Sequence, residues 1–178
     1  LAALGRAHLV HPVAAWRQHE ARGPLLLTGA RGAWLTDAHG HELLDAFAGL
    51  WCVNVGYGQD SVVQAATAQL RQLPYATGYF GFASEPAIRL AAKLAEITPA
   101  SLTRAYLTLG GAEAVDAAVR FIVRYWNARG RPSKKHFIAL ERGYHGSSST
   151  GAGLTALPVF YRGFDLPLAT QHDIPSPN

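Results

Sequence analysis

The sequence predicts an α/β fold with a mostly parallel sheet and flanking helices, on three observations. Ala105-Tyr106-Leu107-Thr108-Leu109 is a short, apolar, β-prone run. Gly110-Gly111 interrupts it, and from Ala112 onward the apolar residues recur at helical spacing. A second run of strand character, His136-Phe137-Ile138-Ala139-Leu140, follows that helix. Strand, helix and strand in this order make a βαβ unit, whose strands run parallel.

The Gly110-Gly111 turn is where such a unit does chemistry. The first amides of a helix have no intrahelical partner, and the aligned peptide dipoles place partial positive charge there, so a phosphate fits. Two glycines let an anion approach the backbone without interference from Cβ, and they can take a positive φ if the turn needs one. A plain joining turn between strand and helix stands as the alternative reading of Gly-Gly alone. The second strand delivers another glycine loop, Glu141-Arg142-Gly143-Tyr144-His145-Gly146-Ser147-Ser148-Ser149. Ligands of open α/β sheets sit beyond the carboxyl ends of the strands, so both loops face the same side.

Before this unit, residues 1–22 carry His8, His11, His19 and Trp16 without clear period. They are read as an arm, mobile or packed on a partner, since the histidine spacing lacks an acidic or sulfur partner for a metal. Leu25-Leu26-Leu27 and Ala33-Trp34-Leu35-Thr36 read as strands joined through Gly29-Ala30-Arg31-Gly32; Asp37-Ala38-His39-Gly40 turns into a further extended piece near Asp45. This is a small antiparallel meander. The stretch 48–58, AGLWCVNVGYG, is rich in glycine and aromatics, and reads either as a pocket wall or as packing under a loop. Gln59 to Leu73 is a helix stopped by Pro74, and Ser84 precedes another that runs to about Ile97. Between them Tyr75 to Phe82 holds four aromatics in a stretch that suits neither helix nor strand. The helix from Ala112 ends at Gly130, its apolar face on Ala114, Val115, Ala118, Ile122 and Tyr125. Residues 151–178 look loop-like, with 174–178 a connection.

Half the chain is hydrophobic (49%) and 16% is charged, the profile of a protein that buries a core. The net charge of +4 is spread along the chain except at Arg129-Gly130-Arg131-Pro132-Ser133-Lys134-Lys135, which has no interleaved aromatics and reads as a solvated loop; no nucleic-acid partner is expected. The single cysteine, Cys52, excludes an intramolecular disulfide and reads as a small buried hydrophobe. No apolar stretch suits a membrane span and the N-terminus has no signal pattern, so no membrane partner and a cytoplasmic location are expected.

The motif Thr108-Leu109-Gly110-Gly111-Ala112-Glu113-Ala114-Val115-Asp116, followed by Gly143-Tyr144-His145-Gly146, resembles the class III pyridoxal-phosphate aminotransferases. Gly49-Leu50-Trp51-Cys52-Val53-Asn54-Val55-Gly56-Tyr57-Gly58 and Leu73-Pro74-Tyr75 are similar to the branch that transfers ω-amino groups to pyruvate, the β-alanine:pyruvate type. The resemblance implies the N-terminal part of a fold-type-I pyridoxal-phosphate transferase. Residues 1–48 would be the arm and small-domain segment, and 49–178 the first part of the large cofactor domain. It implies pyridoxal 5'-phosphate as cofactor, an amine and a keto acid as substrates, and a homodimer with shared active sites. Gly110, Gly111 and Ala112 would cradle the cofactor phosphate, Tyr144 would stack on the pyridine, and His145 and Gly146 would complete that loop. Leu50 and Trp51, with Tyr79 and Phe80, would shape the substrate pocket, and no metal is implied.

Ala112 departs from the family's usual serine, removing a hydroxyl donor worth about 1.5–3 kcal/mol when bonded to a charged group. The resemblance also places the Schiff-base lysine and the acid facing the pyridine nitrogen beyond residue 178, since Lys93, Lys134 and Lys135 do not match the family position. For these residues by themselves, a non-catalytic fragment is the alternative.

Overall fold

A computed structural model describes residues 1–177; Asn178, at the end of the connection read at 174–178, lies outside the described residues. The chain divides into two units, Leu1–Ser84 and Glu85–Asn178.

In the first unit the arm is helical, in two short pieces, α1 (Ala2–His8) and α2 (Trp16–Arg22). A ring cluster accounts for the order: His19 is buried, with its ring 4.5 Å from that of His11 and 5.4 Å from that of Trp16. Aromatic burial organises a segment whose periodicity is too weak to show a helix. The meander follows as β1 (Leu27–Arg31), β2 (Trp34–Asp37) and β3 (Glu42–Leu44), antiparallel and in sequence order. Its first turn is tighter than the sequence suggested. Gly29, Ala30 and Arg31 belong to β1, opposite Thr36, Leu35 and Trp34, and a register shift between Leu27 and Gly29 absorbs the difference.

Asp37 organises the second turn. Its Oδ1 accepts from the amides of His39 (2.8 Å) and His41 (2.9 Å), and Oδ2 lies 2.9 Å from His41 Nδ1. The His41 side chain, helped by the two amides and opposed by burial, lowers the Asp37 carboxyl from 3.8 to about 2. The folded state therefore favours the carboxylate. Its contribution to stability is complete above 3.8 and is lost as pH falls through about 2. Asp37→Asn is expected to unfold more easily than the parent at neutral pH, with the gap closing over that acid window in a pH series of unfolding curves. The unit continues through α3 (Ala48–Trp51), a single turn, to α4 (Asp60–Gln72), which matches the helix expected between Gln59 and Pro74.

The second unit opens on α5 (Glu85–Ile97), with Arg89 paired to Glu85 and Lys93 to Glu96, both at 2.7 Å. Next comes α6 (Gly111–Ala128), whose C-cap Arg129 is followed by Gly130 at φ +69. Ala117 is its buried residue, one position away from the stripe read in the sequence, and Ile122 and Tyr125 on that stripe remain half exposed. Phe121 meets Tyr106 edge-on at 5.1 Å. The basic cluster is partly committed to packing, since Lys134 Nζ sits 4.1 Å and Arg131 Cζ 5.8 Å from the Trp126 ring centre.

The parallel pair differs from the expected one. Ala105–Leu109 is not a ladder strand among the described residues, and β4 (Phe137–Leu140) pairs instead with β5 (Gln171–Ile174), in register Phe137↔Gln171 to Leu140↔Ile174. The crossover between them holds α7 (Ser149–Leu154) and α8 (Pro158–Tyr161), in a stretch that reads as loop. A strand exists only with a partner edge, and 105–109 has none here: Leu109 is 98% exposed. Among the described residues no helix is long and apolar enough to cross a membrane, and no cluster of three or more metal-ligating side chains occurs.

Candidate functional site

The two glycine loops expected to share a side do meet. A Cβ placed on Gly146 would lie 2.7 Å from Ala112 Cβ and 2.8 Å from Ala112 Cα, so the loop backbone touches the first turn of α6, and Gly146 holds φ +119. Only glycine tolerates both. At the helix start Gly110 is the N-cap, extended at φ −171, with no side-chain cap, and its carbonyl accepts from Thr108 Oγ1 at 3.0 Å. Neither of the two glycines adopts a positive φ. Gly111 has nothing within 4 Å of where a Cβ would stand. The Glu113 carboxylate leans back toward Gly110, 3.1 Å from its Cβ position, the usual place for an acid in a first helical turn.

The loop 144–146 is fastened from beneath. His145 N donates to Thr155 Oγ1 (2.8 Å), and the Thr155 hydroxyl faces the carbonyls of Gly151 (2.8 Å) and Gly146 (3.3 Å). Thr155 is fully buried, 1% exposed. Ser148 caps α7 by accepting from Gly151 N (3.0 Å) and donates to Asp116 Oδ1 (2.8 Å), which ties α7 to α6. Gln171 at the start of β5 reaches under α7, its Nε2 donating to the Thr150 carbonyl (2.9 Å) and its Oε1 accepting from Leu168 N (2.8 Å). Gly153 packs against that amide and leaves no room for a Cβ. On the open side, the half-exposed Tyr144 ring leans on Phe160 at 4.9 Å. His145 Nε2 is buried without a hydrogen-bond partner among the described residues.

Leu50 and Trp51 lie in the first unit on α3, which is a left-handed turn. Ala48, Gly49, Leu50 and Trp51 have φ of 48, 57, 60 and 65, closed by Trp51 N to Phe47 O (3.0 Å) and Cys52 N to Ala48 O (2.8 Å). Each non-glycine residue held so costs of order 1–2 kcal/mol. The Asp45 carboxylate offsets this by accepting from Phe47 N (3.0 Å), Gly49 N (2.7 Å) and Tyr57 Oη (2.8 Å). The Tyr57 hydroxyl, with the two amides, holds the Asp45 carboxyl below its ordinary value, and Asp45 raises Tyr57 in return. Leu50 and Trp51 are thereby turned outward, 61% and 71% exposed. Cys52 is exposed too, against the expectation of burial, with its thiol toward the Leu50 carbonyl at 3.4 Å. Tyr79 and Phe80 sit side by side, ring centres 6.0 Å apart, on a turn where Phe80 has φ +59. Among the described residues no ring contact joins them to Trp51.

The structure thus brings Ala112 and Gly146 together, with Tyr144 and His145 on the same loop. The sequence reading missed Thr155, Asp116, Ser148 and Gln171 beneath that loop, and Asp45 and Tyr57 beneath the turn. Of these only Ser148, in a serine run before a helix, carries a local signal, that of an N-cap.

Solved structures resemble the whole chain. An omega transaminase from Pseudomonas jessenii in complex with PMP superposes with a TM-score of 0.97 at 34% identity, over 100% of this chain and 39% of that one. A thermostable (S)-enantioselective omega-transaminase from Thermomicrobium roseum gives 0.94 at 34% identity, over 98% and 39%. Among curated relatives, the putrescine–pyruvate aminotransferase of Pseudomonas aeruginosa is 39% identical over 166 residues, 93% of this chain and 36% of that protein. The diaminobutyrate–2-oxoglutarate transaminase of Halomonas elongata is 37% identical over 152 residues, 85% of this chain and 32% of its own length. The chain spans about a third of the curated relatives it matches, and its fold is that of their N-terminal part. The model of the family described as aminotransferase class-III matches residues 16–178, through the left-handed turn and both glycine loops, and by that match the chain belongs to the class III aminotransferases.

Proposed function

We propose that this chain supplies the phosphate cradle, the ring-stacking residue and part of the substrate wall of a pyridoxal-phosphate enzyme that moves an amino group from an ω-amino acid or amine to pyruvate. The observation that carries this reading is the closure of Gly146 onto Ala112 beside an uncapped helix start. The group fits the residues present. Gly111 leaves open space at its Cβ position, the amides of Gly111 and Ala112 begin the helix, and the partnerless His145 Nε2 lies in the neighbouring loop.

When bound, the cofactor supplies an electron sink for the carbon that carries the amino group. The Gly111 and Ala112 N–H groups, beyond the Gly110 N-cap, would hold its phosphate. The exposed Tyr144 ring would cover one face of the pyridine, with His145 and Gly146 completing that wall. Leu50, Trp51, Tyr79 and Phe80 present flat apolar surface to an amine's carbon skeleton and would exclude water from the reacting centre. The lysine that bonds the cofactor and the acid facing the pyridine nitrogen belong to the whole protein outside these residues, with 1–48 as arm and small-domain segment and 49–178 as the first part of the large domain. Large apolar side chains left open, such as Phe80 at 94% and Leu109 at 98% exposed, support cover by the rest of the protein and by the second subunit of a homodimer. Pyruvate as acceptor is supported by the Pseudomonas aeruginosa relative, named for it.

The test is an absorbance spectrum of the whole protein with pyridoxal phosphate, before and after β-alanine, followed by assay of alanine formed from pyruvate. A visible band that moves to shorter wavelength with amine, together with alanine production, is expected. No band and no amine-dependent alanine would overturn the reading; turnover with 2-oxoglutarate alone would overturn only the acceptor.

A further inference from the structure

Leu50 and Trp51 face outward because a carboxylate holds their backbone, and that carboxylate is itself anchored to the meander. Asp45 N donates to the Ala33 carbonyl at 2.8 Å, and Tyr57 bridges Gly32 through two backbone bonds, Gly32 N to Tyr57 O (2.9 Å) and Tyr57 N to Gly32 O (2.7 Å). Both partners of the Asp45–Tyr57 side-chain bond are therefore fixed on the β1–β2 turn, around a cavity of about 330 Å³ lined by Gly32, Asp45, Val53 and Tyr57 among others. Gly49 closes the device. A Cβ there would lie 2.9 Å from Val53 Cγ2 and 3.0 Å from Tyr57 Oη, so turn and clamp fit only with glycine between them. Among the described residues the only other side-chain hydrogen bond to the strained turn is the weak one from Cys52 Sγ to the Leu50 carbonyl, at 3.4 Å. Without its two backbone bonds to Asp45, from Phe47 N and Gly49 N, the ordinary preference of Ala48, Leu50 and Trp51 for negative φ would reassert itself and swing both side chains away.

We propose that Asp45, with Tyr57 as its second anchor, is a positioning residue for amine specificity: it holds Ala48–Trp51 left-handed and so sets where Leu50 and Trp51 meet the donor's carbon skeleton. The meander then serves as the platform of the substrate wall. This rests on the reading of Leu50 and Trp51 as that wall, and the test separates the two. In the whole cofactor-loaded enzyme, kcat and KM are measured for a short linear amine and for a bulky arylalkyl amine in Trp51→Ala, Asp45→Asn and Tyr57→Phe. Trp51→Ala is expected to shift the ratio of kcat/KM between the two amines by about tenfold. Tyr57→Phe and Asp45→Asn are expected to shift it in the same sense by about threefold or more, chiefly through KM, with the cofactor absorbance band retained.

If Trp51→Ala moves the ratio and Tyr57→Phe leaves it within about twofold, the positioning role fails while the wall stands. If Trp51→Ala does not move it, the wall reading fails and takes the proposal with it. Tyr57→Phe removes one hydroxyl and keeps the ring, so it decides the matter should Asp45→Asn not fold.

Discussion

Gly146→Ala is expected to be severely damaging to the second unit. The new methyl would stand 2.7 Å from Ala112 Cβ and 2.8 Å from its Cα, and Gly146 already holds φ +119. The neighbour that must give way is the start of α6, where helix backbone cannot shift without opening the Asp116–Ser148 bond that ties α6 to α7. Backbone strain and overpacking together are expected to cost about 2–5 kcal/mol. A loop displaced by an ångström no longer faces the amides of Gly111 and Ala112, so cofactor affinity should fall by about tenfold or more. Gly163 is the control, because it has φ +85 but open space around its Cβ position. Gly163→Ala should cost about 1–2 kcal/mol and leave the cofactor site alone. Thermal unfolding and a pyridoxal-phosphate titration of the two variants separate strain from collision. Equal losses in both would mean that the contact with Ala112 carries nothing.

The elements legible in the sequence are those whose signals are local. α4, α5 and α6 each show helical period between a start and a stop, at Pro74, Pro99 and Gly130, and they form within a residue or two of the expected ends. The glycine loops were legible as loops because a glycine pair and a glycine–aromatic run announce themselves whatever surrounds them. β5 shows the opposite case. Gln171-His172-Asp173-Ile174 is three-quarters polar and has no strand alternation, yet it pairs with β4 and buries Gln171; the available edge overrides propensity. Ala105–Leu109 has the propensity and lacks the edge. The left-handed turn was not legible for a similar reason. Gly49 alone advertises a positive φ, whereas Ala48, Leu50 and Trp51 adopt one only because Asp45 and Tyr57, twelve positions apart, converge on that turn.

Thr155 belongs to the same class, and it carries the second large expected effect. Nothing in the sequence around it marks it, but its hydroxyl is the acceptor for His145 N and the donor to the carbonyl of Gly151 or Gly146, at 1% exposure. Thr155→Val keeps volume and β-branching and deletes only that exchange, leaving the His145 amide without its acceptor at a cost of about 1–3 kcal/mol, while the Gly151 carbonyl keeps its bond from the backbone N of residue 155. Thr155→Ser keeps the hydroxyl and removes a methyl, a loss of about 1 kcal/mol. If the hydroxyl fastens the loop, unfolding temperature and cofactor affinity should both fall in the order parent, Thr155→Ser, Thr155→Val. The affinity loss in Thr155→Val should exceed that in Thr155→Ser, since only the former frees the backbone between Tyr144 and Gly146. The reverse order, with the serine variant the weaker, would mean that Thr155 acts through its methyl and that the loop is held by packing of Gly151 and Ala152 against it. Position of the cofactor wall would then depend on the fit of α7, and a substitution at Gly151, where a Cβ would lie 2.6 Å from the His145 carbonyl oxygen, would be the one to disturb it.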